Sequence, residues 1–480
     1  MKLKDLLRGV EVAHWAADVN MEISGVSSDT REAFPRGCLF VALHGFAVDG
    51  NRFIPKAMEK GAVAVVTTKK PDMDIPYVLV ANDRLALARI AANFYGQPAQ
   101  QMTMIGVTGT NGKTSVTWLL KQVLEKTTGA KVGLIGTMEN HIGHEVLDTD
   151  RTTPESIQLQ RLFARMRDAR CQYTVMEVSS HAIALHRVEG IHFAVAAFTN
   201  LTEDHLDFHH TMEDYGQTKA ALFAHCDKAV VNSDDPWGQR MVAGRNLPVI
   251  STAVDGCGDL VAKNIHFDRN GLQFTAVYDK KSVAVQVPIP GKFTVYNVLT
   301  VLGVALQLGI SLEEAASALR TVCGVKGRVE VVPTPCKDYT VLIDYAHTPD
   351  GLENVLSAVR GFCKGRLIAV YGCGGDRDRK KRPIMGEIGV RLADLAVITS
   401  DNPRTEVPGA IIDDILAGLG EAKNFVVEEN RVEAIHYAMD IARKDDIIVL
   451  AGKGHETYQE VMGVKHHMDE REIVAAYLEK

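Results

Sequence analysis

Apolar residues along this chain fall into short unbroken runs, separated by stretches in which they recur at helical spacing. Up to about residue 98 the runs 37–43 and 62–66 predict strands, and the spacing across 84–95 predicts a helix. The stretch Gly96-Gln97-Pro98-Ala99-Gln100 predicts a linker. A new unit then opens with the apolar run 104–107, a buried parallel strand by its composition. A glycine-rich loop follows it. Next comes a helix over 115–126, with Val116, Leu119, Leu120, Val123 and Leu124 on one face. Further buried runs at 131–135, 173–178, 193–198 and 228–232 alternate with helical stretches, which predicts a largely parallel α/β sheet. Residues 271–289 alternate and predict an antiparallel appendage, followed by helices over 296–308 and 311–321.

Near Gly327-Arg328 a third unit begins, with strands predicted at 340–343, 367–371, 395–399 and 447–450. Each runs into a polar or glycine-rich loop: Asp344-Tyr345-Ala346-His347, Gly372 to Arg377, Ser400 to Arg404, and Gly452-Lys453-Gly454-His455-Glu456. Ligands of open α/β sheets bind beyond the carboxyl ends of the strands, so four such loops predict a site. A length of 480 residues also predicts about three domains. The expected limits are 1–98, 99–328 and 329–480, all of α/β class.

Composition narrows the function. The chain is 46% hydrophobic and 24% charged, with a formal net charge of −7, so neither a nucleic-acid surface nor a nucleic-acid partner is expected. No apolar run approaches the ~20 residues of a membrane helix. The first residues, MKLKDLLRGVEVAHW, lack the apolar core of a signal peptide. The eight cysteines are scattered without a C-x-x-C pair, which predicts reduced thiols in a cytoplasmic protein and no zinc site.

The chemistry concentrates at strand ends. Gly109-Thr110-Asn111-Gly112-Lys113-Thr114 lies between a strand and a helix, where backbone N–H groups and the helix N-terminus attract phosphate. Lys113 would reach the β- and γ-phosphates of ATP, and the Thr114 hydroxyl would bind Mg²⁺. The first glycine of the usual loop is missing: Val107 stands in its place and Gly106 comes one position early. Glu177 ends another buried strand and is a candidate Mg²⁺ ligand, or else a strand-end carboxylate in an ion pair. His205 and His209 are spaced to share a helix face. A zinc pair is conceivable, but His205 fits a phosphate or Mg²⁺ site better. Lys219 by itself reads as one solvated charge on a helix.

Taken in order, GTNGKT, EVSSH, TNLTEDHLD, the Y-x-x-x-K-x-x-LF stretch around Lys219, Tyr296-Asn297, Gly327-Arg328, Asp344-Tyr345-Ala346-His347-Thr348-Pro349 and Asp401-Asn402-Pro403-Arg404 resemble the Mur ligases of bacterial cell-wall synthesis, over essentially the whole chain. The resemblance implies a UDP-binding N-terminal domain, a central P-loop ATPase and a C-terminal Rossmann-like domain, working as a monomer in the cytoplasm. It implies ATP and Mg²⁺ as cofactors and amide formation through an acyl phosphate. It also implies that Lys219 is carbamylated, and that Thr114, Glu177, His205 and the carbamate of Lys219 hold Mg²⁺. Lys113, Glu177, His205 and Lys219 would then form the catalytic set. Gly109, Thr110, Asn111, Gly112, Lys113, Thr114, Ser115, Asn297, Arg328 and Asp344 would contact ATP.

Within the family the resemblance is to members that add meso-2,6-diaminopimelate to UDP-N-acetylmuramoyl-L-alanyl-D-glutamate. Ser28, Thr30, Thr152, Thr153, Ser179 and Arg187 match positions that hold the nucleotide-linked dipeptide, as does the loop 45–50. Arg151 and Leu185 depart from the Asn and Gln of some relatives. Arg377, Asp401, Asn402, Pro403, Arg404, Gly452 and Glu456 match the amino-acid pocket. Two alternatives stay open at this point. One is a relative that adds L-lysine, or another Mur-type or folylpolyglutamate-type ligase. The other is a nucleotide-gated switch without ligation.

Overall fold

The computed structural model describes residues 1–31, 36–45, 48–268, 271–335 and 337–479, with the backbone alone at 207, 267, 268 and 292. It contains three α/β domains, each built on its own sheet. By internal contacts the chain divides into two compact units: residues 1–261 with 299–315, and residues 262–298 with 316–480.

The first unit holds two sheets. The N-terminal sheet contains β1 (Val12–Ala16), β2 (Gly25–Ser27), β3 (Cys38–Val41), β4 (Ala62–Thr67) and β5 (Tyr77–Val80), in the order β1-β5-β4-β3-β2. Only the β1–β5 pair is antiparallel. Helix Asp83–Phe94 covers one face with Ala86, Leu87 and Ile90 buried, and Asn82 caps it by accepting Leu85 N at 3.0 Å. The expected linker is ordered instead: Pro98–Gln101 forms a 3₁₀ turn, and Ala99 belongs to the core of the next domain.

That domain's strands are β6 (Thr103–Thr108), β7 (Val132–Ile135), β8 (Asn140–Ile142), β9 (Glu145–Leu147), β10 (Tyr173–Glu177), β11 (Phe193–Phe198), β12 (Cys226–Asn232), β13 (Val249–Ala253) and β14 (Leu260–Asp268), the last counted with the second unit from residue 262 on. Their order, β14-β13-β12-β11-β6-β10-β7-β8-β9, puts β6 between β11 and β10, both parallel to it. The segments after β10 and β11 therefore flank the loop after β6, at the point where the connections reverse direction across the sheet. Gly106 has a packing role here. A Cβ on it would lie 2.9 Å from the Phe193 ring, so the early glycine serves strand-to-strand packing and not the phosphate loop.

The second unit carries the antiparallel hairpin β15 (Gly271–Tyr278) and β16 (Lys281–Val287), as the alternation predicts. Its main sheet comprises β17 (Glu330–Val332), β18 (Thr340–Asp344), β19 (Leu367–Tyr371), β20 (Leu395–Ile398), β21 (Phe425–Val427) and β22 (Ile447–Ala451), ordered β17-β18-β22-β19-β20-β21. All pairs except β17–β18 are parallel. A last hairpin, β23 (Tyr458–Val461) with β24 (Val464–His467), precedes helix Glu470–Leu478. The four loops singled out in the sequence thus leave the carboxyl ends of four adjacent strands, β18, β22, β19 and β20.

Candidate active site

Helix Lys113–Thr128 starts directly from the loop after β6, with Gly112 as its N-cap in the left-handed region (φ +85°). Gly109 has φ +145°, and a Cβ there would collide with Thr199 Oγ1. Both glycines answer a backbone demand, one of conformation and one of space. Three residues after β11 clamp the loop from its other side. Thr110 N donates to Asn200 O (2.8 Å), Asn111 N donates to Asn200 Oδ1 (2.9 Å), and Thr199 Oγ1 donates to Asn111 O (2.6 Å). Thr202 N adds a bond to Thr110 Oγ1 at 3.0 Å. In the sequence Thr199, Asn200 and Thr202 fall within the TNLTEDHLD stretch without an individual role; their work of fixing the loop emerges from the fold.

Two lysines meet at one carbonyl. Lys113 Nζ donates to Gly109 O (2.9 Å) and Thr110 O (2.7 Å), and Lys219 Nζ donates to Gly109 O (2.9 Å). Lys219 belongs to helix Met212–Ala220 and is only 1% exposed, with its Nζ 4.6 Å from the Tyr215 ring centroid. It is not a solvated helix charge. Burial first, and the Lys113 charge second, hold its pKa well below the usual lysine value. Tyr215 bonds Thr110 Oγ1 at 3.2 Å, and burial pushes its phenol up to about 12.

Glu177 closes β10 at 1% exposure. Its carboxylate accepts Thr114 Oγ1 (3.0 Å), Thr137 N (2.8 Å) and Thr137 Oγ1 (3.1 Å). A hydroxyl and a buried carboxylate in contact beside a phosphate loop suit Mg²⁺, which takes few protein oxygens and completes its shell from waters and phosphates. Among the described residues no group of three His, Cys, Asp or Glu is arranged to hold a metal.

His205 takes φ +54° at the start of helix Leu206–His209. Its Nε2 lies 3.4 Å from Asp204 Oδ2, and its ring meets His181 edge-on at 4.9 Å. His209 packs against the same His181 ring, at 5.6 Å: its Nε2 bonds Ser180 Oγ at 2.8 Å, and burial with the neighbouring imidazoles holds its pKa down at about 4.

The residues matched to the dipeptide gather around Glu177. The Thr137 and Thr152 hydroxyls are hydrogen-bonded at 3.0 Å, and Thr153 Oγ1 donates to Glu177 O (2.8 Å). Ser179 N donates to Thr153 Oγ1 (3.1 Å). Arg187 donates to Thr153 O (3.1 Å) and pairs with Glu155 at 2.8 Å. Ser28 and Thr30 lie apart from this cluster, just after β2 in the N-terminal domain, where Lys60 Nζ donates to Thr30 O (2.6 Å). In the loop 45–50, Phe46 and Ala47 lie outside the described residues.

In the second unit, Asp344 ends β18 and accepts Val329 N and Ala346 N, each at 2.8 Å. Burial raises its pKa, and the Arg328 charge opposes that shift. The Arg328 guanidinium lies 5.4 Å from the Tyr345 ring centroid. Asn297 is buried in helix Lys292–Gln307.

The loops matched to the amino-acid pocket converge. Arg404 (φ +49°) donates through Nη1 to Gly375 O at 2.7 Å, and its Nε lies 3.4 Å from Glu460. Asn402 Nδ2 donates to Glu456 Oε2 at 2.8 Å. Asp401 Oδ1 accepts Asn402 N at 2.7 Å, while its Oδ2 is buried with no hydrogen-bond partner. A Cβ on Gly452 (φ +116°) would come 2.5 Å from that oxygen. Arg377 stays exposed, donating to Asp376 O at 3.2 Å.

Three family models match the chain: the Mur ligase family catalytic domain over residues 22–95, the Mur ligase middle domain over 107–305, and the Mur ligase glutamate ligase domain over 327–454. The chain is 47% identical to UDP-N-acetylmuramoyl-L-alanyl-D-glutamate–2,6-diaminopimelate ligase 1 of Clostridium acetobutylicum, with 100% of both chains covered. It is also 47% identical to the ligase of the same name, without the numeral, from Caldanaerobacter subterraneus subsp. tengcongensis, covering 100% of this chain and 99% of that one. A solved structure of a UDP-N-acetylmuramoyl-L-alanyl-D-glutamate–2,6-diaminopimelate ligase superposes with a TM-score of 0.75 at 29% identity, over 100% of this chain and 99% of the other. End-to-end identity of this order, joined to the phosphate loop and the converging strand-end loops, decides the family: the chain belongs to the Mur ligases.

Proposed function

We propose that this chain is the ATP-dependent ligase that joins meso-2,6-diaminopimelate to UDP-N-acetylmuramoyl-L-alanyl-D-glutamate. The observation that carries the reading is the meeting of Lys113 and Lys219 on Gly109 O, with the Thr114 hydroxyl on buried Glu177 beside them. The substrates come from the names of the relatives at 47% identity. In the first step an oxygen of the D-glutamate γ-carboxylate attacks the γ-phosphorus of ATP, and ADP leaves. In the second, the amine of the incoming amino acid attacks the acyl carbon, loses a proton and expels phosphate.

The chain's part is positioning and charge neutralisation. Lys113 and the loop N–H groups hold the phosphates. Thr152, Thr153, Ser179 and Arg187 hold the dipeptide, with Ser28 and Thr30 at the uridine end. Bound Mg²⁺, held through Thr114, Glu177, His205 and carbamylated Lys219, would supply neutralisation of charge on the transferring phosphoryl group. Asn297, Arg328 and Asp344 complete the nucleotide contacts, and the domain limits fall near 98 and 328. The enzyme works as a cytoplasmic monomer; the seven described cysteines, all free thiols, fit a reducing compartment.

Arg404 supports diaminopimelate over L-lysine. A guanidinium grips a carboxylate with two parallel hydrogen bonds, and only diaminopimelate brings a carboxylate at its far end. Lysine would set an ammonium of like charge against it. Ligation assays with a panel of amino acids test this reading: meso-diaminopimelate is used and L-lysine poorly. Efficient L-lysine ligation with poor use of diaminopimelate would overturn it.

A further inference from the structure

Lys453 is the interior cation of the amino-acid loops, and neither sequence pattern nor family resemblance gave it a task. Its side chain is 0% exposed, yet the loop around it lies at the end of β22 among polar residues. Gly452 (φ +116°) and Gly454 (φ +55°) flank it. Neither glycine has room for a side chain: a Cβ would come 2.5 Å from Asp401 Oδ2 at the first and 2.6 Å from Tyr345 Cβ at the second. The Gly-Lys-Gly turn thus drives a lysine inward where a lysine would otherwise stay in solvent.

Inside, Nζ donates to Asn402 Oδ1 (2.9 Å) and to Glu456 Oε2 (2.9 Å). Asn402 Oδ1 also accepts Glu460 N (2.9 Å), and Asn402 Nδ2 donates to the same Glu456 Oε2 (2.8 Å). Two consequences follow from these bonds. The carboxamide of Asn402 cannot flip without setting an NH₂ against the lysine ammonium. Two donors also converge on Glu456 Oε2, which fixes the rotation of that carboxylate and turns Oε1 away from them.

We propose that Lys453 is a positioning residue for the amino-acid pocket: it orients Asn402 and Glu456 so that the carboxylates of Glu456 and Asp401 are presented to an ammonium group of the incoming amino acid. Asp401 contributes the buried, unpartnered Oδ2 beside Gly452. An amino acid with an ammonium at each end fits such a site, because the buried Asp401 Oδ2 is left without a donor by a ligand that lacks one. The inference rests on the reading of this chain as a diaminopimelate ligase.

The test is a double-mutant cycle in the full-length enzyme with Lys453→Met and Glu456→Gln. KM is measured separately for diaminopimelate, ATP and the UDP-dipeptide. Lys453→Met is expected to raise the KM for diaminopimelate at least tenfold while the KM values for ATP and UDP-dipeptide stay within about twofold. Because the lysine acts through Glu456, the double variant should be little worse than Glu456→Gln alone. The double variant also removes the buried carboxylate that Lys453→Met leaves without its cation, so it keeps the test usable if the single variant folds poorly. A diaminopimelate KM within twofold of the parent in Lys453→Met overturns the inference, as does full additivity in the cycle or a parallel rise of all three KM values. A parent enzyme that does not ligate diaminopimelate at all would instead strike the functional reading.

Discussion

Lys219 shows how a residue's chemistry is set by where the fold puts it. On a helix in sequence it is one charge among many; in the structure it is buried against Tyr215 and donates to a loop carbonyl, Gly109 O. Desolvation favours the neutral amine, and the neutral amine is the form that adds CO₂: an N–C bond forms, a proton leaves, and the neutral amine becomes an oxygen-bearing anion. The sign is fixed by the direction of the shift. With its folded pKa depressed, the amine holds its proton less tightly than an ordinary lysine and gains it only as pH falls through that lowered value, so acid should drive the CO₂ off. Enzyme kept in ¹³C-bicarbonate at neutral pH is expected to show a carbamate carbon resonance that is absent from Lys219→Ala. That variant should lose at least a hundredfold in turnover and recover part of it with added short carboxylic acids. No carbamate signal together with near-parental activity in Lys219→Ala would refute the modification.

At the scale of elements, strand β6, its loop and helix Lys113–Thr128 form a unit whose glycines divide the labour. Gly109→Ala forces a side chain onto Thr199 Oγ1 at φ +145°. It is expected to destabilise the protein by ~1–3 kcal/mol and to weaken ATP binding at least tenfold; thermal unfolding and nucleotide titration measure the two effects. Unchanged affinity for ATP would show that the clamp from Thr199 and Asn200 does not shape the phosphate site. The same unit shows what a sequence can and cannot disclose. The run 104–107, the glycine loop and the helix were legible because a buried parallel strand is uniformly apolar and its helix is amphipathic. Gly106 was ambiguous because its reason is the Phe193 ring, 87 residues away in sequence and adjacent only through the pairing of β6 with β11. Edge strands were not legible for a different reason. β1 is mostly exposed and β24 wholly so, and neither shows the buried alternation that marks a strand in the sequence. Lys453 was hidden similarly, since nothing local in G-K-G-H-E distinguishes an interior lysine from a solvated one.

At the scale of the molecule, three α/β sheets and the strand-end placement of every candidate loop followed from the block pattern of apolar runs. The division into two compact units did not, because it depends on contacts between segments far apart in sequence, such as 299–315 with the first 261 residues. The candidate residues are divided between these units as well: Lys113, Thr114, Glu177, His205 and Lys219 belong to the first, and Arg328, Asp344, Asp401, Arg404, Lys453 and Glu456 to the second. The central claim is that such a chain couples ATP cleavage to amide formation through an acyl phosphate. The most direct measurement places ¹⁸O in the γ-carboxylate of the D-glutamate of UDP-N-acetylmuramoyl-L-alanyl-D-glutamate and follows it during turnover with ATP, Mg²⁺ and meso-diaminopimelate. Turnover is expected to give ADP, UDP-tripeptide and phosphate in equal amounts, with one ¹⁸O in each phosphate released. Formation of AMP and pyrophosphate, or of phosphate free of label, would contradict it.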